Sequence, residues 1–481
     1  MTPLVVVDSP KRWPLHFPGT ELVSAYRYLS DPELALGPGR KVFNLCRSFR
    51  YQAAGYYVSL LAEARGHRPL PSVAAIQDFK LAPVVKLVSE ELEELMQSSL
   101  RRIKSETFEL SVYFGRNIAA THERLALAVF NAFPAPLLRA KFERDGRWRL
   151  VGAKVIGLAD IPESHRSFVV EQAERYLKRT PRRGKQEAPA RFEVAILHNP
   201  ADELPPSNAE ALKHFVTAGE TMGIHCELIE KDSYGRVAEF DGLLLRETTS
   251  VNHHTYRFSR RAAAAGLVVV DDPVSIVRCA NKVYLAETLA RHRVATPKTL
   301  ILSKDNALEA IRTLGFPCVL KLPDSSFSAG VSRVDSDEGL PEILAGLFED
   351  SDLLIAQEYV PTDFDWRIGV LGRQPLFACR YGMAPNHWQI LKRDQAGVQE
   401  GNAETMLVED APKDVVKLAV RAANLMGDGL YGVDLKVVRK RPIVIEVNDN
   451  PNIDAGIEDA ALGDELYARV MRHFFWKLEA R

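Results

Sequence analysis

Two stretches near the end of the chain hold acids where acids are costly. Tyr431 to Val438 reads YGVDLKVV, an apolar run with Asp434 inside it. A basic turn, Arg439-Lys440-Arg441-Pro442, leads into Ile443 to Asn448, IVIEVN, a β-branched run carrying Glu446 and Asn448. A carboxylate within each of two paired strands is expensive unless a cation compensates it. Glu446 and Asn448 are two apart and share a strand face. Asp434 can sit opposite them on the neighbouring strand. Two carboxylates and an amide oxygen are hard ligands, suited to Mg²⁺ or, in its place, Mn²⁺. The other account of these residues is a buried Asp and Glu paired with a nearby Lys or Arg.

Three further signals lie upstream. Lys321 ends an apolar run, VLKL, and a small-residue loop follows that contains Ser325, Ser326, Ser328 and Gly330. Such a loop can present N–H groups and hydroxyls to phosphates, with Lys321 as a point charge; a serine-rich hairpin turn explains the same residues. Leu353 to Val360 is a hydrophobic strand that loses its alternation at Gln357-Glu358-Tyr359-Val360, where main-chain groups can meet an adenine edge. By itself it also reads as core. Asp365-Trp366-Arg367 and then Arg380 lie on successive strands, so Arg367 and Arg380 can clamp an anion or form exposed ion pairs.

The elements that must position these groups can be read from periodicity. Residues 278–481 predict helices over 280–292, 305–314, 338–348 and 411–426. Strands are expected at 317–322, 331–335, 353–358, 366–371, 376–381, 430–438 and 442–447. Residues 192–277 predict strand-helix-strand order and a parallel open sheet. Residues 1–177 predict a mixed α/β domain, with a strand at Leu4 to Val7, helices over 51–65, 83–99 and 164–177, and strands over 108–114 and 147–155. The basic, proline-containing stretch at 178–191 reads as a linker. No internal repeat is expected.

Composition sets the outer limits. A chain of 481 residues exceeds one core. Its net charge of −1 provides no global field for nucleic acid or an anionic membrane. No apolar stretch reaches the roughly 20 residues of a membrane helix. Met1-Thr2-Pro3 does not open a signal peptide. Cys46, Cys226, Cys279, Cys318 and Cys379 are odd in number and widely spaced, which fits reduced thiols and a cytoplasmic setting.

In their order along the chain, Lys282, Lys321, Gln357-Glu358-Tyr359-Val360, Asp365-Trp366-Arg367, Arg380, Asp434 and Glu446-Val447-Asn448 resemble the ATP-grasp superfamily. Within it the chain is similar to RimK-like carboxylate–amine ligases, over residues 192–481. Residues 1–177 resemble the N-terminal domain of some of these ligases. The resemblance implies an open-sheet subdomain ahead of two α+β subdomains that grip ATP. Lys282 and Lys321 would hold phosphates. Glu358 and Val360 would meet adenine through the backbone, with Gln357 and Tyr359 beside them. Asp365 would bind the ribose. Arg367 and Arg380 would stabilise the transferring phosphoryl group or the acyl phosphate. Asp434, Glu446 and Asn448 would hold Mg²⁺.

The implied activity is ATP-dependent amide formation, adding an amino acid such as glutamate to a small acid or peptide. Two rivals are a ligase that modifies a protein tail and a non-catalytic ATP-binding regulator. A homo-oligomer, dimeric or tetrameric, is compatible with either. The phosphate loop departs from the family in keeping only Gly330 among its serines. The segment from Gly382 to Lys392 departs as well, so the acceptor is not carried over; His387 there is either a general base or plain surface.

Overall fold

Leu4-Val5-Val6-Val7 is apolar at every position, and every position is buried: Val5 and Val7 enter one core, Leu4 and Val6 another. That is the mark of an inner strand in a sheet covered on both faces. The computed structural model describes residues 2–35, 39–178, 190–324, 330–385, 387–394 and 397–480. It divides into two compact units: Met1–Pro189 with Asp232–Glu239, and Ala190–Lys231 with Phe240–Arg481. The linker expected at 178–191 lies mostly outside the described residues.

The first unit opens with β1 (Leu4–Val7), β2 (Glu21–Ser24), α1 (Ala25–Ser30), β3 (Lys41–Asn44), α2 (Ala54–Ala64), β4 (Arg68–Leu70) and α3 (Val73–Asp78). The strands form a parallel sheet in the order β2-β1-β3-β4. The helix expected over 83–99 is two, α4 (Ala82–Glu91) and α5 (Glu93–Leu100), broken at Leu92. An antiparallel sheet of β5 (Thr107–Tyr113), β6 (Leu137–Asp145) and β7 (Arg147–Val155) follows, with α6 (Glu123–Ala132) and α7 (Arg166–Lys178).

The second unit opens in the same way. It has β8 (Phe192–Leu197), α8 (Ala209–Thr221), β9 (Ile224–Ile229), β10 (Gly242–Leu245), α9 (His254–Ala264), β11 (Val268–Val270) and α10 (Pro273–Ala280). Its sheet order is β9-β8-β10-β11, again parallel. The third strand, helix, fourth strand and next helix of the two units therefore correspond, with numbers 200 apart. Tyr56, Ser59, Ala62, Gly66 and Ile76 match Tyr256, Ser259, Ala262, Gly266 and Ile276. Ser59 Oγ donates to the Pro71 carbonyl and Ser259 Oγ to the Asp271 carbonyl, each at 2.7 Å. Ser72 and Asp272 each cap the helix that follows. Gly66 and Gly266 end α2 and α9 at φ of +67° and +78°. The expectation of no internal repeat is thus corrected. The two copies share their scaffold contacts and few other residues, so identity alone does not reveal them.

The rest of the second unit begins with α11 (Lys282–Arg291), β12 (Thr299–Leu302), α12 (Ala307–Leu314), β13 (Cys318–Lys321), β14 (Val331–Val334), α13 (Leu340–Asp350) and β15 (Leu354–Glu358). The four strands form an antiparallel sheet in the order β12-β15-β13-β14, packed on α12 and α13. After them come β16 (Phe364–Leu371), β17 (Gln374–Gly382), the small hairpin β18 (Leu391–Asp394) and β19 (Gly397–Glu400), β20 (Ala403–Met406), α14 (Lys413–Met426), β21 (Leu430–Val438), β22 (Arg441–Asp449) and α15 (Asp464–Glu479). Strands β20-β17-β16-β21-β22 make a second antiparallel sheet. Its Trp366, Ile368 and Val433 pack with α14, while Leu371, Phe377 and Cys379 join a core with α15 and the open sheet.

Helix α15 is absent from the sequence expectations, although Leu466, Tyr467, Val470, Met471, Phe474 and Leu478 recur at helical spacing and are buried. His473 on this helix sits against the turn at Gly372. Burial, with Lys477 nearby, lowers its pKa to about 4. The folded protein keeps this ring neutral while the unfolded chain takes up a proton below about 6.5. Stability therefore falls as pH drops from about 6.5 to about 4. Replacing His473→Leu should remove about 1–3 kcal/mol of that loss, measured as the difference in urea midpoint between pH 7 and pH 5. An unchanged pH dependence would refute the neutral buried histidine.

Candidate functional site

The hairpin of β21 and β22 carries the acids. Its tip, Arg439-Lys440, takes positive φ at both residues (48° and 68°), the geometry of a two-residue hairpin turn. From this tip the pairing runs Val438 with Arg441 to Leu435 with Val444. Continued without change, it would set Asp434 opposite Ile445. A β-bulge intervenes, and Asp434 pairs with Glu446 and Gly432 with Asn448. Directly opposed residues share a face, so the bulge brings Glu446 and Asn448 to the side of Asp434.

On that face every acid has a cation. Arg367, opposite Asp434 on β16, grips it with Nε at 2.7 Å and Nη2 at 2.8 Å. Burial opposes the guanidinium charge, but Asp434 outweighs it and holds the Arg367 pKa well above its ordinary range. Lys282 at the start of α11 reaches Glu446 Oε1 at 3.0 Å. Burial pushes the Glu446 carboxyl up, yet Lys282 and Lys321 together hold it below its usual value. Asn448 Nδ2 donates to Asp434 Oδ2 at 3.2 Å. The ion-paired account of these acids is therefore realised in this structure. The same groups also fit a hard divalent cation: two carboxylates and an amide converge from adjoining strands, and the amide needs only a turn to present its oxygen.

The first antiparallel sheet brings the phosphate candidates. Lys321, at the end of β13, donates to Gln357 Oε1 at 2.9 Å, and Gln357 Nε2 donates to Thr299 Oγ1 at 3.1 Å. Burial lowers the Lys321 pKa, Glu446 pulls the other way, and Lys282 and Lys436 add to the lowering. Lys321, Gln357 and Thr299 line a pocket together with Lys282, Glu446 and the apolar Leu285, Leu289, Ile355 and Val444. Glu358 N–H is spent on the Lys298 carbonyl and Tyr359 N–H on that of Pro317.

Of the remaining candidates, the arginine pair is placed otherwise than expected. Asp365 is held by Lys436 Nζ at 2.6 Å and Thr362 Oγ1 at 3.0 Å. Burial raises its carboxyl, with Lys436 opposing. The clamp of Arg367 with Arg380 is corrected: register sets Arg367 opposite Cys379 and Arg380 opposite Trp366, so the arginines lie on opposite faces. Arg380 stacks on Trp366 at 4.7 Å and Phe364 at 5.1 Å, and pairs with Glu404 at 3.4 Å. Tyr381, not Arg380, shares the face of Arg367, 5.1 Å from it, and hydrogen-bonds to buried Glu458. The candidates Ser325, Ser326 and Ser328 lie outside the described residues.

Lys436, Tyr381 and Glu458 were absent from the candidate set. Lys436 was readable, because it stands two residues from Asp434 on one strand and so shares its face.

Strands of the two antiparallel sheets and helix α11 thus bring Lys282, Lys321 and Glu446 into the lining of one pocket. Residues 25–172 match the family model described as RimK-like ATPgrasp N-terminal domain, and residues 279–466 match RimK-like ATP-grasp domain. The chain belongs to the RimK-like ATP-grasp proteins and is an ATP-dependent ligase of the carboxylate–amine class. A probable alpha-L-glutamate ligase of Vibrio vulnificus is 25% identical over 271 residues, 53% of this chain and 85% of that protein. The alpha-aminoadipate–LysW ligase LysX of Saccharolobus solfataricus is 28% identical over 193 residues, 39% of this chain and 67% of that protein. A solved RimK domain ATP-grasp protein from Sphaerobacter thermophilus aligns with 58% of this chain and 98% of its own at 19% identity, with a TM-score of 0.44.

Removing Arg367 leaves Asp434 partly buried and uncompensated. Arg367→Met should cost about 3–5 kcal/mol in urea unfolding of the metal-free protein, and adding Asp434→Leu should recover part of it. A single variant as stable as the parent would refute the pairing.

Proposed function

We propose that this ligase uses ATP and Mg²⁺ to join an amino acid, glutamate being the leading candidate, to the carboxylate of a small acid or peptide. The observation that carries the reading is the convergence of Lys282, Lys321 and Glu446 in one pocket, with Asp434 opposite Glu446 on the paired strand. The apolar part of the lining suits a base, and the lysines suit phosphates. With the Glu358 and Tyr359 amides already committed, the Glu358 carbonyl and the Val360 N–H are assigned to the adenine edge. Asp365 is assigned to the ribose, in exchange for part of its bond to Lys436. The names of the two curated relatives support an amino acid or a related acid as substrate.

A carboxylate is a poor electrophile, and phosphoryl transfer makes it an acyl phosphate, which an amine attacks to form an amide with release of phosphate. Bound to Asp434, Glu446 and Asn448, Mg²⁺ supplies charge neutralisation at the phosphates. Burial disfavours the charge of Lys321, and an arriving phosphate would favour it and pair with it. Arg367, which pairs with Asp434, would be available to the developing negative charge where Asp434 held the metal. No enzyme nucleophile is required.

Glu446→Gln should lower amine-dependent ADP release by roughly 100-fold or more, screened over amino acids and acidic acceptors with product masses recorded. Turnover at the parental rate would refute the assignment of Glu446. ADP release without any amide product would refute the ligase chemistry proposed for this site.

A further inference from the structure

The internal duplication supplies a control that a single domain lacks. Both copies have the same loop between the third strand and its helix, running over 46–53 and 246–253. Each loop closes with the same turn: Ala53 N–H donates to the Arg50 carbonyl at 2.9 Å, His253 N–H to that of Ser250 at 3.1 Å. The scaffold serines, glycines and caps agree between copies. The loop residues themselves all differ, and three of the differences give the second unit side chains that can ligate a metal. Where the second unit has Glu247, His253 and His254, the first has Arg47, Ala53 and Ala54. The loop is therefore built without an acid or an imidazole, and the fold does not require them.

In the second unit these three side chains converge. One ligand atom from each lies within 4.8 Å of the others. The two rings are 3.9 Å apart. Glu247 is only 2% exposed. Its Oε1 lies 2.8 Å from His254 Nε2, yet neither that nitrogen nor Glu247 Oε2 makes a hydrogen bond of acceptable geometry, although both are buried. A carboxylate buried with an unused oxygen costs free energy unless something satisfies it. A plain ion pair would align the N–H with the oxygen, and this pair does not.

The structure assigns Glu247, His253 and His254 to a second divalent-cation site, of the zinc type. Two imidazole nitrogens and one carboxylate oxygen are the donors that select a borderline-soft ion over Mg²⁺. Bonds of about 2.0–2.1 Å put tetrahedral ligands about 3.4 Å apart, so an ion would draw together three atoms that here lie within 4.8 Å of one another. Three protein ligands leave a fourth position for water or a substrate atom. The loop is tied to the carboxylate hairpin: Thr249 Oγ1 donates to Asp449 Oδ2 at 2.7 Å, and Asn450 Nδ2 to the Glu247 carbonyl at 2.7 Å. The site is thus anchored next to the strand that carries Glu446 and Asn448, and its ligands are separate from theirs. The assignment does not rest on the ligase chemistry proposed above.

The test is metal binding by the full chain, stripped with chelator and titrated with Co²⁺ and then Zn²⁺ under excess Mg²⁺. One equivalent of Co²⁺ should bind with the visible absorption of a four-coordinate ion, and Zn²⁺ should displace it. H254Q and E247Q should each lose that equivalent while melting like the parent, and D434N should keep it. No retained equivalent, or retention by H254Q and E247Q, overturns the site; so does its loss in D434N alone. Should both loop variants unfold, X-ray absorption at the zinc edge of the parent protein decides: two imidazoles support the site, and an all-oxygen shell overturns it.

Discussion

Two carboxylates held side by side in a sheet must be neutralised, and much of the second unit is arranged to do it. Asp434 and Glu446 stand opposite one another on paired strands. Arg367 meets the first from β16, and Lys282 meets the second from the start of α11. The β21–β22 bulge sets both acids on one face. A protein cation repays the desolvation of a buried acid only with good geometry, and the bidentate grip of Arg367 provides it. In the proposed function each cation would pass from an acid to an arriving phosphate.

The acids were legible because an Asp in YGVDLKVV and a Glu in IVIEVN contradict their apolar surroundings. So were most strands and helices that hold them, since alternation and helical spacing act over a few residues. What could not be read depends on pairing. The bulge at Ile445 decides which side of β22 faces Asp434, and it leaves no local mark. The register of β16 with β17 decides that Arg380 meets Trp366, not the site. A two-residue period was in view for Lys436, but its partner Asp365 lies on a strand 71 residues earlier. Helix α15 was missed despite its spacing, and its importance shows only in the core that it shares with Phe377 and Val194.

The duplication was hidden for a different reason. Its two copies agree at contacts that close the loop, cap the helix and fix the fourth strand, and these are few. Everything else has been free to follow local needs. In the second copy the loop leans on the hairpin through Thr249 and Asn450, and Arg246 is wholly buried against Ser207, Asn450 and the Pro451 carbonyl. Burial lowers that guanidinium to about 10, with Asp271 opposing. Cys46 takes the same position in the first copy, where no such anchor is needed.

A chain with two strand-helix-strand segments of one design has two candidates for every docking event while it folds. Misassembly between like segments is a characteristic hazard of such chains. The outward positions of the two helices separate them. Tyr57, Leu60 and Leu61 on α2 correspond to Arg257, Arg260 and Arg261 on α9. Two helices on one scaffold thus present outward faces of opposite chemistry, one cationic and one apolar.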